Sequence, residues 1–422
     1  MREMKDSGIE WVGAIPQDWQ LSKIGSLYTQ RNEKVSDKDY QPLSVTMQGI
    51  LPQLATAAKT DDGDNRKLVR VGDFAINSRS DRRGSCGISP LDGSVSLINI
   101  ILTPRTAMHP GYYNWLFNTT LFADEFYKWG HGIVADLWTT RWQEMKSITV
   151  PVPEYAEQKR IAAFLDAECA KIDAVLEKTR ASIEEYKKLK QAVITQAVTK
   201  GIHGDRPMKD SGIEWIGDIP AGVPISRVGL HFDIVLGKML CSAPVDDNYT
   251  LESYYCAADV HFEGLSNGEK KKMWFSPDEK EQYCVKNGDL LVVEGGAGAG
   301  GCAIAVSTDV PIYIQNSIMI VRSKGISNIR YLRYLLECLV KKGYIDVVCN
   351  KATIPHFTKD KLANVPFIVF SQSEQEEIAE YLNEKCAGID ALIVKKQQYL
   401  TEIENYKKSL IYEYVTGKKE VV

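Results

Sequence analysis

Residues 78–87 read SRSDRRGSCG and place Arg79, Arg82 and Arg83 among the hydroxyls of Ser80 and Ser85. Guanidinium forks pair bidentately with phosphate oxygens or with the O6/N7 edge of guanine, and hydroxyls donate to phosphate. A solvated loop balanced by Asp81 would look the same in isolation. Position favours anion binding, because the second half of the chain also places a permissive loop after a matching strand. That loop holds Gly296, Gly298 and Gly301. Their spacing fits a dinucleotide fingerprint, but the fingerprint needs a helix directly after the glycines. The sequence CAIAV follows instead and reads as a strand, so Gly296 and Gly298 are taken as a loop whose backbone approaches another molecule closely. Two further stretches mix cations with hydroxyls: 130–141, with His131, Thr139, Thr140 and Arg141, and 350–359, with Lys351, Thr353, His356 and Lys359. Both suit a phosphate-lined surface, and all these residues are candidate DNA contacts. Trp138, within the first of these stretches, reads as a core residue.

Catalytic chemistry has little support. The chain contains no Gly-x-x-x-x-Gly-Lys-Ser/Thr loop, no Cys-x-x-Cys and no His-Glu-x-x-His, and it lacks the Asn/Asp-Pro-Pro-aromatic signature of amino-methyltransferases. Its six histidines show no nucleophile–base spacing, and its nine cysteines, unpaired in spacing, do not form a disulfide framework. The net charge of −4 gives no bulk preference for nucleic acid, so local clusters must carry that case. No apolar run is long enough for a membrane span, and MREMKDSGIEW lacks a signal-peptide core; a cytoplasmic location is expected.

The elements that position the loops are written twice. The stretch 157–199 carries Ile161, Leu165, Cys169, Ile172, Leu176, Ile183, Tyr186 and Val193 in steps of three and four, which predicts one amphipathic helix about 60 Å long. Shifting by 217 positions (374 − 157) lays 374–416 on it without a gap, and the stripe returns as Ile378, Leu382, Cys386, Ile389, Ile393, Leu400, Ile403 and Leu410. Two such helices can close each other's seams. Upstream, MKDSGIEWVGAIP at 4–16 returns as MKDSGIEWIGDIP at 208–220. The chain therefore reads as one module repeated: domains at 1–156 and 206–372, long helices at 157–205 and 373–422. Each domain is expected to be α+β. Strand pairs broken at Gly72-Asp73 and Gly288-Asp289, strands at 95–102 and 312–321, helices at 112–129 and 328–339, and extended stretches at 148–153 and 365–370 lead into the long helices. Ser373 with Glu376 reads as a capping box, and Gly201 and Gly417 as helix stops.

These features resemble the specificity subunits of type I restriction-modification systems. The resemblance rests on the Ser-Gly-Ile-Glu-Trp-x-Gly-x-Ile-Pro openings at 7–16 and 211–220, the Gly-Asp strands, the Glu-Gln-x-x-Ile helix starts at Glu157 and Glu374, and the Val-Thr-Gly ending at 415–417. It covers essentially the whole chain. It implies two target recognition domains that each read half of a split double-stranded DNA sequence, held on an antiparallel coiled-coil spacer. It also implies docking of two methyltransferase subunits that use S-adenosylmethionine and of restriction subunits that hydrolyse ATP with Mg, so that no cofactor belongs to this chain. One departure is visible: Pro16-Gln17-Asp18-Trp19 in the first opening becomes Pro220-Ala221-Gly222-Val223 in the second. A coiled-coil scaffold that assembles proteins without reading DNA is the competing reading, and a nucleotide enzyme built on the Gly296 loop is a third. The modular reading predicts that exchanging residues 206–372 for a relative's domain changes one half of the DNA target only. Mapping the methylated motif checks this, and a change in both halves would refute it.

Overall fold

The computed structural model describes residues 2–53, 63–132, 138–349 and 355–421. It divides into two compact units, Met1–Arg180 with Gln397–Val422, and Ala181–Lys396. The long helices, Tyr155–Lys200 and Gln372–Val415, each contribute to both units. Among the described residues, no helix is long and apolar enough to cross a membrane.

In the first unit an antiparallel sheet runs in the order Cys86–Ile88, Phe74–Asn77, Asn99–Pro104, Tyr28–Arg31. Its side chains alternate between two cores, as a strand's period of two requires. Phe74, Ile76, Ile100 and Leu102 pack against Tyr112, Tyr113, Phe117, Phe122 and the long helices, while Ala75 and Ile101 face Leu43, Ile50, Val69 and Val95. Two elements expected to be continuous are interrupted. The helix over 112–129 is Pro110–Phe117 followed by Thr120–Lys128, because the Thr119 side chain accepts Phe122 N–H and starts a new helix. The strand over 95–102 turns at Ser96, whose carbonyl accepts Asn99 N–H, so Gly93–Val95 joins a smaller sheet with Arg66–Val69 and Lys34–Val35.

The second unit repeats the plan in the order Cys302–Ile304, Leu290–Val293, Ile318–Ser323, Phe232–Leu236. Its second sheet pairs Lys271–Phe275 with Thr250–Tyr255, which runs parallel to Tyr313–Ile314. Here too the strand expected over 312–321 is split, into Tyr313–Ile314 and Ile318–Ser323. Helix Ile329–Lys341 is capped by Asn328 and lies in the main core.

Equivalent hydrogen bonds seat the long helices. At each start a buried glutamine bridges two backbone groups: Gln158 accepts His109 N–H and donates to Pro153 O, and Gln375 accepts Asn328 N–H and donates to Phe370 O, all at 2.7–2.8 Å. The opening repeats deliver Arg2 to Glu157 at 2.5 Å and Arg206 to Glu374. At each end a helix carbonyl without an intrahelical partner accepts from a buried tyrosine of the core, Tyr112 to Val415 O at 2.8 Å and Tyr331 to Val198 O at 3.1 Å. Gly201 and Gly417 then stop the helices with φ of 76° and 71°. The second helix starts two residues before the box read from sequence, since Ser371 Oγ accepts Glu374 N–H and Ser373 bonds Glu377 instead.

Within each unit the two helix segments run antiparallel. Lys407–Asp173 and Arg180–Glu404 pair in the first unit, each at 2.6 Å, and Lys190–Asp390 pairs in the second at 2.7 Å. Along the stripe Ile161, Leu165, Leu176, Ile183, Ile378, Leu382 and Ile389 are buried; Ile172, Ile393 and Leu400 are half-buried. The helix ends are covered by a globular core as well as by the other helix. Leu382→Ala, at a site with no exposure, is predicted to cost about 2–5 kcal/mol. Leu400→Ala should cost less than half as much. Chemical denaturation checks both, and equal losses would show that the seam is buried evenly.

Candidate nucleic-acid interface

Both candidate loops grow from a strand anchored by a buried aspartate. Asp73, after Gly72, accepts from Arg31 Nε at 2.7 Å, Arg70 N–H at 2.9 Å and Thr103 Oγ1 at 2.9 Å. Asp289, after Gly288, accepts from Arg322 at 2.7–2.8 Å and from Lys286 N–H at 2.8 Å. Hydrogen bonding to these carboxylates raises the pKa of Arg31 and of Arg322. The arginine comes from different strands in the two units, Tyr28–Arg31 in one and Ile318–Ser323 in the other.

In the first unit the Arg79 loop and the Thr139 stretch, separate in sequence, form one platform. Thr140 N–H donates to Ser78 O at 3.0 Å and Ser80 N–H to Trp138 O at 3.1 Å, while Thr139 exchanges both backbone bonds with His131. Beneath, Tyr127 OH donates to Asn77 O and Trp138 Nε1 to Tyr127 O; burial raises the Tyr127 phenol's pKa. Gly130 is required here, since a Cβ would lie 2.5 Å from Trp138 Nε1. His131 pairs with Glu144 at 3.0 Å. Burial of Glu144 works to raise its pKa, but His131 and the Arg141 backbone N–H among its hydrogen bonds bring it below the usual value.

The platform sorts the candidates. Arg79, Arg82, His131 and Arg141 are exposed. Arg83 is turned to Asp124 and lies 5.9 Å over the Tyr127 ring, fastening the loop to helix Thr120–Lys128. Beside it Ser80, Lys128 and Trp138 line a cleft of ≈ 450 Å³. Thr140 and Ser85 are corrections to the sequence reading: both are buried, and Thr140 Oγ1 donates to Phe126 O at 2.9 Å. A buried hydroxyl committed to a carbonyl holds the loop and does not reach a phosphate. Thr139 and Ser80 are partly exposed.

The second unit joins the equivalent pieces. Gly295 bridges His356, Gly296 N–H donates to Pro355 O at 3.1 Å, and Phe357 N–H donates to Glu294 O at 2.6 Å. Glu294 also pairs with His356 at 3.3 Å. The glycines lead into strand Cys302–Ile304, not a helix, so no helix N-terminus is aimed at a phosphate. Gly296 has φ of +89° with open space where a Cβ would stand, Gly298 is exposed, and a Cβ on Gly300 (φ +82°) would collide with Val340 and Ile345. His356 and Lys359 are exposed; Lys351 and Thr353 lie outside the described residues. No group of three or more metal-ligating side chains occurs among the described residues.

Sequence reasoning missed Asp124 and Lys128, because nothing local marks them as neighbours of the arginine loop. It also missed that the two candidate loops of each domain touch; backbone pairing between distant segments leaves no periodic trace.

Residues 263–402 match the family model described as the type I restriction modification DNA specificity domain. The MjaVIII type I restriction enzyme specificity subunit of Methanocaldococcus jannaschii is 26% identical over 433 residues, covering 96% of this chain and 94% of that protein. The StySPI specificity subunit of Salmonella potsdam is 21% identical, covering 96% and 90%. Among solved structures, a chain from a study titled for complex assembly and conformational transition of the type I R-M system superposes with a TM-score of 0.74 at 16% identity, covering 96% of this chain and 99% of that one. The HsdS subunit from Thermoanaerobacter tengcongensis gives 0.55 at 17%, covering 96% and 98%. With the whole-length repeat and the shared mixed helix-and-sheet fold, the chain is similar along nearly its whole length to type I restriction-modification specificity subunits, and its residues 263–402 match the DNA specificity domain of that family.

Proposed function

We propose that this chain reads a split, asymmetric double-stranded DNA sequence, one half-site per unit, as the non-catalytic specificity subunit of a type I restriction-modification complex. The observation that carries the reading is the paired-loop platform, built at the same place on the same sheet in both units from different side chains. An internal repeat matches the pseudo-two-fold symmetry of a duplex, with half-site spacing set by protein geometry. Different residues on the two platforms make the two half-sites different. The antiparallel helix pairs serve as the spacer and dock two methyltransferase subunits and the restriction subunits in the cytoplasm. S-adenosylmethionine, ATP and Mg belong to those partners. In the first unit Arg79, Arg82, His131, Thr139 and Arg141 face DNA while Arg83 positions the loop; in the second, Gly296, Gly298, His356 and Lys359 do so, and Lys351 and Thr353 are candidate contacts from the sequence alone.

The test is genome-wide mapping of N6-methyladenine in cells with and without this chain, its methyltransferase partner present in both. A split, asymmetric motif that depends on the chain is expected; no new motif would leave the scaffold reading standing. For the loop, Arg79→Ala with Arg82→Ala in the assembled complex is predicted to lower affinity and to reduce the salt slope by about one for each phosphate that either arginine neutralises. If either arginine reads a guanine, its removal should also relax discrimination at that base by about 1–3 kcal/mol. Unchanged affinity at moderate salt would remove both arginines from the interface.

A further inference from the structure

The second unit exposes aliphatic side chains that its fold does not use. Met239 and Val245 are each 75% exposed, Leu240 63% and Leu251 49%. Single exposed aliphatic residues are ordinary, but several within one short stretch mark a contact surface.

The stretch begins beside the reading platform. Gly237 N–H donates to Ile318 O at 3.0 Å, Lys238 N–H to Ile314 O at 3.2 Å, and Asn316 N–H to Lys238 O at 2.8 Å. A Cβ on Gly237 would collide with Gln315 O, so only glycine lets the chain run this close to residues 314–318 before Met239. In that same segment Ser317 O accepts the N–H of Glu294, which holds His356 and opens the glycine loop. Lys238 itself is turned inward to Glu279, 4.9 Å over Tyr249 and 5.4 Å over Phe275, and acts as an anchor. Further along, Cys241 O accepts Trp274 N–H at 3.0 Å. Trp274 is the cross-strand partner of Leu251, so the two share the sheet face opposite buried Met273 and Phe275. Lys271 and Lys272 are exposed on that same strand.

Flanking lysines suit phosphates, and the one apolar group on a base edge is the C5-methyl of thymine in the major groove. We propose that Met239 and Leu240 are specificity-determining residues that read thymine methyl groups in the half-site of the second unit. This rests on the DNA-reading function proposed above.

The test uses the complete complex and a duplex carrying the mapped target, with each thymine of the half-site assigned to residues 206–372 replaced singly by deoxyuridine. At one or more positions the wild-type complex should bind about fourfold more weakly, the value of one buried methyl group. Met239→Ala with Leu240→Ala should bind the thymine duplex more weakly and lose the deoxyuridine effect, while substitutions in the other half-site affect both proteins alike. The proposal is overturned if that half-site lacks thymine, if wild type ignores every replacement, or if the variant keeps the effect. Loss of assembly with the methyltransferase, at unchanged selectivity, would make the strip a protein contact and overturn it too. Failure of the underlying reading would look different: the wild-type complex would not prefer the mapped duplex over a scrambled one.

Discussion

A helix of 44 or 46 residues with an apolar stripe along its length cannot be covered by one small domain. Everything else in this chain answers that constraint. The first helix starts against the core that precedes it, through Ile161 and Leu165, and ends against the other unit's core, through Ile194, Ala197 and Val198. The second does the reverse, with Ile378 and Leu382 at one end and Leu410 and Val415 at the other. Each unit therefore needs a segment from both helices. The buried tyrosines make the dependence specific, because Tyr112 and Tyr331 each bond the end of the helix that does not follow their own domain directly.

On this frame the two candidate loops of each unit are joined to each other by backbone bonds, and in the first unit the buried side chains of Tyr127 and Thr140 and the Arg83–Asp124 pair fasten them from beneath. Strands Phe74–Asn77 and Leu290–Val293 end at the platform, and bridges at Arg79–Thr139 and Gly295–His356 tie each loop to its neighbour. The exposed side chains of such a platform, Arg79, Arg82 and Arg141 in the first unit, can change without disturbing the bonds that hold it. An arginine-rich face in one unit and a glycine-rich one in the other are two fillings of one geometry.

How much of this could be read beforehand depended on the range of the signal. The striped stretches 157–199 and 374–416 match the long helices to within two residues at each end, since a stripe repeated over many turns is local and redundant. The Gly-Asp strands and the halving of the chain were legible through self-similarity. What failed was short or distant. Thr119 divides a helix that apolar content alone runs through, and Ser371 caps where Ser373 was expected, because either serine offers the same hydroxyl. Thr140 and Ser85 looked like contacts because burial of a hydroxyl in a loop depends on what packs over it. Arg83 had the composition of a reader and the geometry of an anchor, and only Asp124, far along the chain, decides between them.

The buried aspartates limit how such genes can recombine. Exchange of an entire globular part carries the aspartate together with its own arginine. A crossover inside it does not: joining the Arg31 strand to the Arg322 strand crowds two cations onto one carboxylate. The reciprocal product brings Val235 and Thr103 together and leaves the aspartate buried with no cation, at a cost of several kcal/mol. New specificities should therefore arise by swaps whose breakpoints fall in the openings, which repeat nearly residue for residue, or in the long helices, which repeat the same apolar stripe.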